Sequence, residues 1–229
     1  MEAGRPDAGG AGSRLPWVVG VSGASGTPYA AALLRGLLDA GLPVDLVVSR
    51  AARLTLLDET GVAWRDSAWP VALAGWLGGD RSVVESAVAA DQVRHWSAGD
   101  LAAGPSSGSY RTRGMIVVPA STAAVAGIAL GLSKDLLQRA ADVTLKERRP
   151  LIVVPREMPF TRSTLLHMLS LHEAGAVVAA ASPGFYAGAT DAQALVDFVA
   201  GKVLDAAGVS NNLLRRWTGE LGAARRSSG

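Results

Sequence analysis

Short, almost wholly apolar runs alternate along this chain with longer stretches in which apolar residues recur at helical spacing. The runs are Trp17 to Val21, Pro43 to Ser49, Gly114 to Pro119, Leu151 to Pro155 and Ala176 to Ala180. Runs of that length bounded by turn residues read as strands covered on both faces, as in a parallel sheet. The stretches between them predict helices over Tyr29 to Ala40, Ala51 to Thr60, Lys134 to Arg148, Thr161 to Ala174 and Asp191 to Ala207. Strand–helix alternation throughout predicts an α/β fold, a doubly wound parallel sheet in a single domain. The pattern fails only over Val62 to Pro105, where Trp64, Trp69, Trp76 and Trp96 fall at irregular spacing among Gly78, Gly79 and several charges. One short strand, Gln92 to Trp96, is predicted there. The tryptophans read as a satellite core or an oligomer contact.

In open parallel sheets ligands gather outside the carboxyl ends of the strands, so the residues that follow each run matter most. After the first comes Ser22-Gly-Ala-Ser-Gly26. Gly23 and Gly26 allow close backbone approach to an anion, and Ser25 sits where a helix N-terminus favours negative charge. An ordinary strand–turn–helix corner has the same composition. The spacing is neither Gly-x-Gly-x-x-Gly nor a loop ending in Gly-Lys-Ser/Thr, so dinucleotide and Walker fingerprints are both absent. Ser49 ends the second run and would share a crevice with Ser22 if the two strands are neighbours. Ser121, in Pro119-Ala-Ser-Thr-Ala-Ala124, reads as a helix N-cap that can also hold a ligand. Arg156 and Glu157 follow the fourth strand directly, as a structural ion pair or as catalytic or phosphate-binding groups. Glu59 reads as a solvated helix-end residue, and Arg139 and Lys146, about two turns apart, share a helix face. The Ser106-Ser-Gly-Ser109 loop precedes a buried strand, and Tyr186 lies in a turn.

Composition narrows the chemistry. With 229 residues, 49% hydrophobic and 18% charged, the chain can bury a full core. A formal charge of +2 argues against a dedicated nucleic-acid surface. There is no cysteine, which removes disulfides and thiolate catalysis and makes a cytoplasmic setting the default. The three histidines, His95, His167 and His172, show no metal-ligand spacing, so no metal is expected. Residues 1–15 lack an apolar signal core and read as a disordered extension, and residues 222–229 as a flexible tail.

Taken together, Ser22-Gly-Ala-Ser-Gly26, Ser49-Arg-Ala-Ala-Arg53 with Glu59-Thr60, Ser106 to Ser109, the Pro119-Ala-Ser121 corner, Arg139-Ala-Ala-Asp142, Lys146-Glu-Arg-Arg-Pro150, Arg156-Glu-Met-Pro159 and Phe185-Tyr186 closely resemble the UbiX-type flavin prenyltransferases. The resemblance covers most of the span from Trp17 to Trp217. It implies a flavodoxin-like or Rossmann-like fold, FMN, no metal, and a homo-oligomer, commonly a dodecamer, with sites at subunit contacts. The implied reaction moves a dimethylallyl group from dimethylallyl phosphate to N5 and C6 of reduced FMN, and the product serves a UbiD-type decarboxylase.

Carried over by position, the resemblance makes Gly23, Ala24, Ser25, Ser49, Ser121, Thr122, Ala123, Ala124 and Arg156 the FMN contacts. Arg139, Lys146, Tyr186 and Lys202 become prenyl-phosphate contacts, with Trp217 a candidate shelter for the allyl cation. Ser25, Glu59 and Glu157 become residues of the chemistry, which revises the solvated reading of Glu59. The 62–105 segment is longer than its family counterpart, and Ala123 and Ala124 offer only backbone contacts. Two other readings stand beside this one: an FMN-dependent cysteine decarboxylase, whose catalytic histidine would have to be His95, and a non-catalytic flavin carrier attached to a decarboxylase.

Overall fold

The computed structural model describes residues 15–78, 81–185, 191–214 and 216. Six parallel strands form one sheet in the order β3-β2-β1-β4-β5-β6. They are β1 (Trp17–Val21), β2 (Val44–Val48), β3 (Val93–Ser97), β4 (Gly114–Ala120), β5 (Leu151–Pro155) and β6 (Val177–Val178). The order reverses direction between β1 and β4, which opens a crevice at their carboxyl ends. Val19 is flanked by Leu46 on one side and Ile116 on the other, and Ile116 by Ile152, a row of branched side chains across the sheet.

Helices α1 (Thr27–Asp39), α2 (Arg50–Thr60), α3 (Trp69–Leu77), α4 (Arg81–Ala89) and α8 (Ala192–Ala206) contribute to the core on one face of the sheet. Helices α5 (Thr122–Ala129), α6 (Leu136–Lys146) and α7 (Arg162–Glu173) contribute to the other. Leu33, Leu34, Leu37 and Leu46 are fully buried in the first core and Met115, Leu136, Leu137 and Leu151 in the second. Trp64 and Trp76 belong to the first core together with Trp17 and Phe198, so they are part of the main packing and not of a satellite core or an oligomer contact. Among the described residues no helix is long and apolar enough to cross a membrane.

The doubly wound parallel sheet is as expected, with differences at the ends of elements and in one segment. The first helix begins at Thr27, two residues before Tyr29, because Pro28 sets the first turn. The predicted strand Ala176 to Ala180 shrinks to Val177–Val178, as befits an edge strand with one neighbour. Residues 62–105 hold the helices α3 and α4 as well as the one strand expected, β3, and complete the crossover from β2 to the sheet's other edge. Of the expected terminal extension, Leu15 is described and its carbonyl accepts from Arg113 Nε at 3.1 Å. The remainder of that extension and the 222–229 tail lie outside the described residues.

Candidate functional site

Ser22 ties the crevice together. Its buried hydroxyl donates to the Pro119 carbonyl (2.8 Å) and accepts from the Ser121 amide (2.7 Å), so the ends of β1 and β4 are pinned to one another. Ser49 N-caps α2, its hydroxyl accepting from Ala52 N at 3.2 Å. Ser121 caps α5 in the same way through Ala124 N, also at 3.2 Å. A cavity of about 260 Å³ is lined by Ser22, Gly23, Ser49, Ser121, Ala123 and Ala124, with Arg50, Ala51, Asp135, Leu137 and Gln138. Gly23 is required here: a Cβ at that position would stand 2.4 Å from that of Ala51. The first loop can therefore lie flat on the start of α2 only without a side chain.

The N-termini of α1, α2, α5 and α6 stand around this crevice, and their caps separate them. That of α1 is occupied by Glu59, whose carboxylate accepts from Gly26 N (2.8 Å), Thr27 N (2.8 Å) and Thr27 Oγ1 (2.6 Å). That of α6 is occupied by Asp135, which accepts from Gln138 N at 2.9 Å. Helices α2 and α5 carry neutral serine caps, so the positive ends of their dipoles face the cavity uncompensated by a carboxylate. An anionic group is favoured at these two and disfavoured at the other two.

Glu59 is thus neither a solvated helix-end residue nor a free base. Partial burial raises its pKa, but the donors Ser25, Thr27 and Gly26 outweigh that and hold the carboxyl below its ordinary range. Ser25 is exposed, and its carbonyl accepts from Arg156 Nε at 2.9 Å, which carries the Arg156 side chain from the end of β5 across to the first loop. Arg156 and Glu157 line a second cavity, of about 390 Å³, with Met158, Phe160, Ala181 and Ser182. The Glu157 carboxylate is exposed and accepts from the Met158 amide at 2.9 Å, so Arg156 and Glu157 point to different partners.

The basic residues stand elsewhere in this chain. Gln138 lines the crevice, whereas Lys146 lies eight residues further along α6, about 12 Å away at 1.5 Å per residue. Arg139 turns from the crevice to the 104–110 loop, donating to Ser106 O at 3.1 Å and pairing with Asp142 at 2.8 Å. Lys202 is exposed on the far half of α8, 3.9 Å from Asp205, which Arg216 also holds at 2.6 Å. Tyr186 and Trp217 lie outside the described residues. Ala24 is buried, and Thr122 and Ala123 form the first turn of α5. The sequence reading missed Arg50, Asp135 and Gln138 as crevice residues. The signal for two of them was present, since Asp135-Leu-Leu-Gln138 has the spacing of a capping box.

A doubly wound sheet whose crevice is lined by hydroxyl-capped helix N-termini defines the class of phosphate-bearing cofactor binders, and the Flavoprotein family model matches residues 10–204. The flavin prenyltransferase UbiX of Streptomyces coelicolor is 67% identical over 213 residues, covering 92% of this chain and 99% of that protein. Among solved structures, AnUbiX in complex with FMN and dimethylallyl pyrophosphate superposes with a TM-score of 0.78 at 33% identity, covering 91% of this chain and 100% of that one. A dodecameric FMN-dependent UbiX-like decarboxylase from Escherichia coli O157:H7 superposes with a TM-score of 0.76 at 35% identity, covering 89% and 100%. The chain belongs to the UbiX flavin prenyltransferase family.

Proposed function

We propose that this protein transfers a dimethylallyl group from dimethylallyl phosphate to N5 and C6 of reduced FMN, in the cytoplasm and as a homo-oligomer, and hands the product to a UbiD-type decarboxylase. The observation that carries this reading is the contrast between serine-capped and carboxylate-capped helix ends. It leaves the N-termini of α2 and α5 for the FMN phosphate, with Ser49, Ser121 and the amides of Thr122 to Ala124 as its holders. Gly23, which lacks room for a Cβ, lets the first loop lie against the cofactor, and Arg156 fixes that loop through Ser25. Bound flavin supplies the nucleophilic nitrogen and carbon.

The chain's part is to manage charge and one proton. Cleavage of the allylic C–O bond leaves negative charge on phosphate, which Arg139, Lys146, Lys202 and Tyr186 stabilise without a metal. Lys146 and Lys202 lie far from their own crevice, which supports a site completed by a neighbouring copy. Trp217 offers an aromatic face to the allyl cation. Ring closure adds a proton, the one released from N5, to the prenyl double bond and expels another from C6, which the exposed carboxylate of Glu157 or the released phosphate takes. Glu59 acts by holding Ser25 to Thr27 in place. A cysteine decarboxylase would need His95 at the crevice, yet its side chain is 3% exposed and packed against Trp64 and Trp69.

Anaerobic incubation with reduced FMN and dimethylallyl phosphate should yield a flavin heavier by one five-carbon prenyl unit on mass analysis. Glu157→Gln should retain FMN and release that product more slowly. Unmodified flavin from protein that binds the donor would instead establish a carrier.

A further inference from the structure

Asp45 is a buried carboxylate that the proposed chemistry does not use. It sits within β2, wholly inaccessible, with Trp96 Nε1 donating to Oδ1 and the Tyr110 hydroxyl donating to Oδ2, each at 2.9 Å. The Tyr110 oxygen also accepts from Arg94 Nη1 at 3.2 Å, and Arg94 is ion-paired with Asp91. Burial raises the Asp45 pKa despite these donors. A buried carboxylate is costly unless it is hydrogen-bonded, and the bond from Tyr110 gives it a conformational reason to be there.

That reason is the loop that Tyr110 closes. Its ring meets Trp96 edge-on, with centroids 6.3 Å apart, and packs so tightly on Gly104 that a Cβ there would stand 2.8 Å from Cδ2. Arg149 grips the same turn from the other side, donating to Tyr110 O (2.8 Å), Gly108 O (2.7 Å) and Thr112 Oγ1 (3.2 Å). Between these anchors the loop backs two cations: Ser106 O accepts from Arg139 Nε, and Gly108 lies against the Lys146–Glu147 ion pair, where a Cβ would stand 2.7 Å from Lys146 Nζ and nearer still to Glu147 Oε1.

We propose that Asp45 and Tyr110 are positioning residues, which through the 104–110 loop hold Arg139 and Lys146 in the arrangement that binds the prenyl donor's phosphate. This rests on the assignment of those two cations to the donor. Trp96 thereby acquires a purpose that packing alone does not give it: with Tyr110 it supplies the donors that keep a carboxylate inside the sheet.

The test is steady-state prenylation with dimethylallyl phosphate varied, using the full chain and its Tyr110→Phe, Asp45→Asn and Lys146→Ala variants. Tyr110→Phe keeps the ring on Gly104 and Trp96 and removes both the bond donated to Asp45 and the one accepted from Arg94. KM for the donor should rise roughly tenfold, with kcat and the FMN dissociation constant within about twofold of the parent. Asp45→Asn, which keeps side-chain size and one acceptor, should move KM the same way by less. Backbone amides of 106–110 should exchange hydrogen faster in both. If Lys146→Ala raises KM but Tyr110→Phe and Asp45→Asn only lower the melting temperature, the network is structural and the inference is overturned. If Lys146→Ala leaves KM unchanged, the donor assignment fails and takes the inference with it.

Discussion

Glu59 shows what one carboxylate can do from 33 residues away along the chain. Its bonds to the amides of Gly26 and Thr27 close the N-terminus of α1, which Gly26, in a left-handed conformation with φ 111°, leaves without a side-chain cap of its own. Glu59→Gln keeps one acceptor and opposes an amide NH₂ to donors already in place. The expected loss is about 1–3 kcal/mol of unfolding free energy. The pH dependence has a definite sign. A carboxyl held below its ordinary value of 4.5 contributes stability above that pH and loses it as pH falls through the folded pKa. Urea denaturation between pH 7 and pH 3 should therefore show a smaller acid-side decline in Glu59→Gln than in the parent, and parallel declines would count against the cap as the source. From its spacing Glu59 was visible only as a charge at a helix end, and it was the family resemblance that placed it among the residues of the chemistry. Its partners come from another element, and spacing along one helix carries no information about them. Ser22, Ser49 and Ser121 were legible for the opposite reason, since each stands immediately after an apolar strand.

At the scale of elements, the strands were legible because runs such as Leu151 to Pro155 are buried along their whole length. Helix α3 was not, because Trp69-Pro-Val-Ala-Leu-Ala-Gly-Trp-Leu77 is apolar on nearly every side and carries no clear periodicity. Its start signal, a proline in the first turn, was present. What organises this crossover is His95, 5.4 Å from Trp64 and 5.8 Å from Trp69 by ring centroid, with Nε2 3.5 Å from Asp66 Oδ1. Proximity to Asp66 favours the imidazolium, but burial, assisted by Arg53, outweighs it and lowers the pKa below 6.5. The unfolded chain then takes up the proton first. Stability is fully present above about pH 6.5 and falls as pH drops toward the folded value. His95→Gln should abolish that decline, measured as the urea midpoint from pH 7.5 to pH 5, a window above the one Glu59 governs. A decline of equal slope in both chains would assign it to another group.

Across the whole molecule, two features are unexplained by a single copy. Leu165, Leu166 and Leu169 are about half exposed along α7 (52%, 46% and 51%), an apolar stripe that a surface helix does not need. Lys146 and Glu157, both assigned to one reaction, sit apart: Lys146 at the end of α6 remote from the crevice, Glu157 at the carboxyl end of β5. Burial of the leucines between copies and completion of each site by a neighbour would account for both. Leu165→Glu with Leu169→Glu should lower the particle mass in sedimentation and raise the donor KM while FMN binding persists. Complementation distinguishes shared sites from separate ones. Lys146→Ala and Glu157→Gln chains should each prenylate slowly alone. Unfolded together in equal amounts and refolded, they should regain about a quarter of the parent's active sites, since a site that draws Glu157 from one chain and Lys146 from another is intact when both contributors carry the right residue. If each site were built within one chain, mixing would restore nothing, and activity would stay at the mean of the two variants.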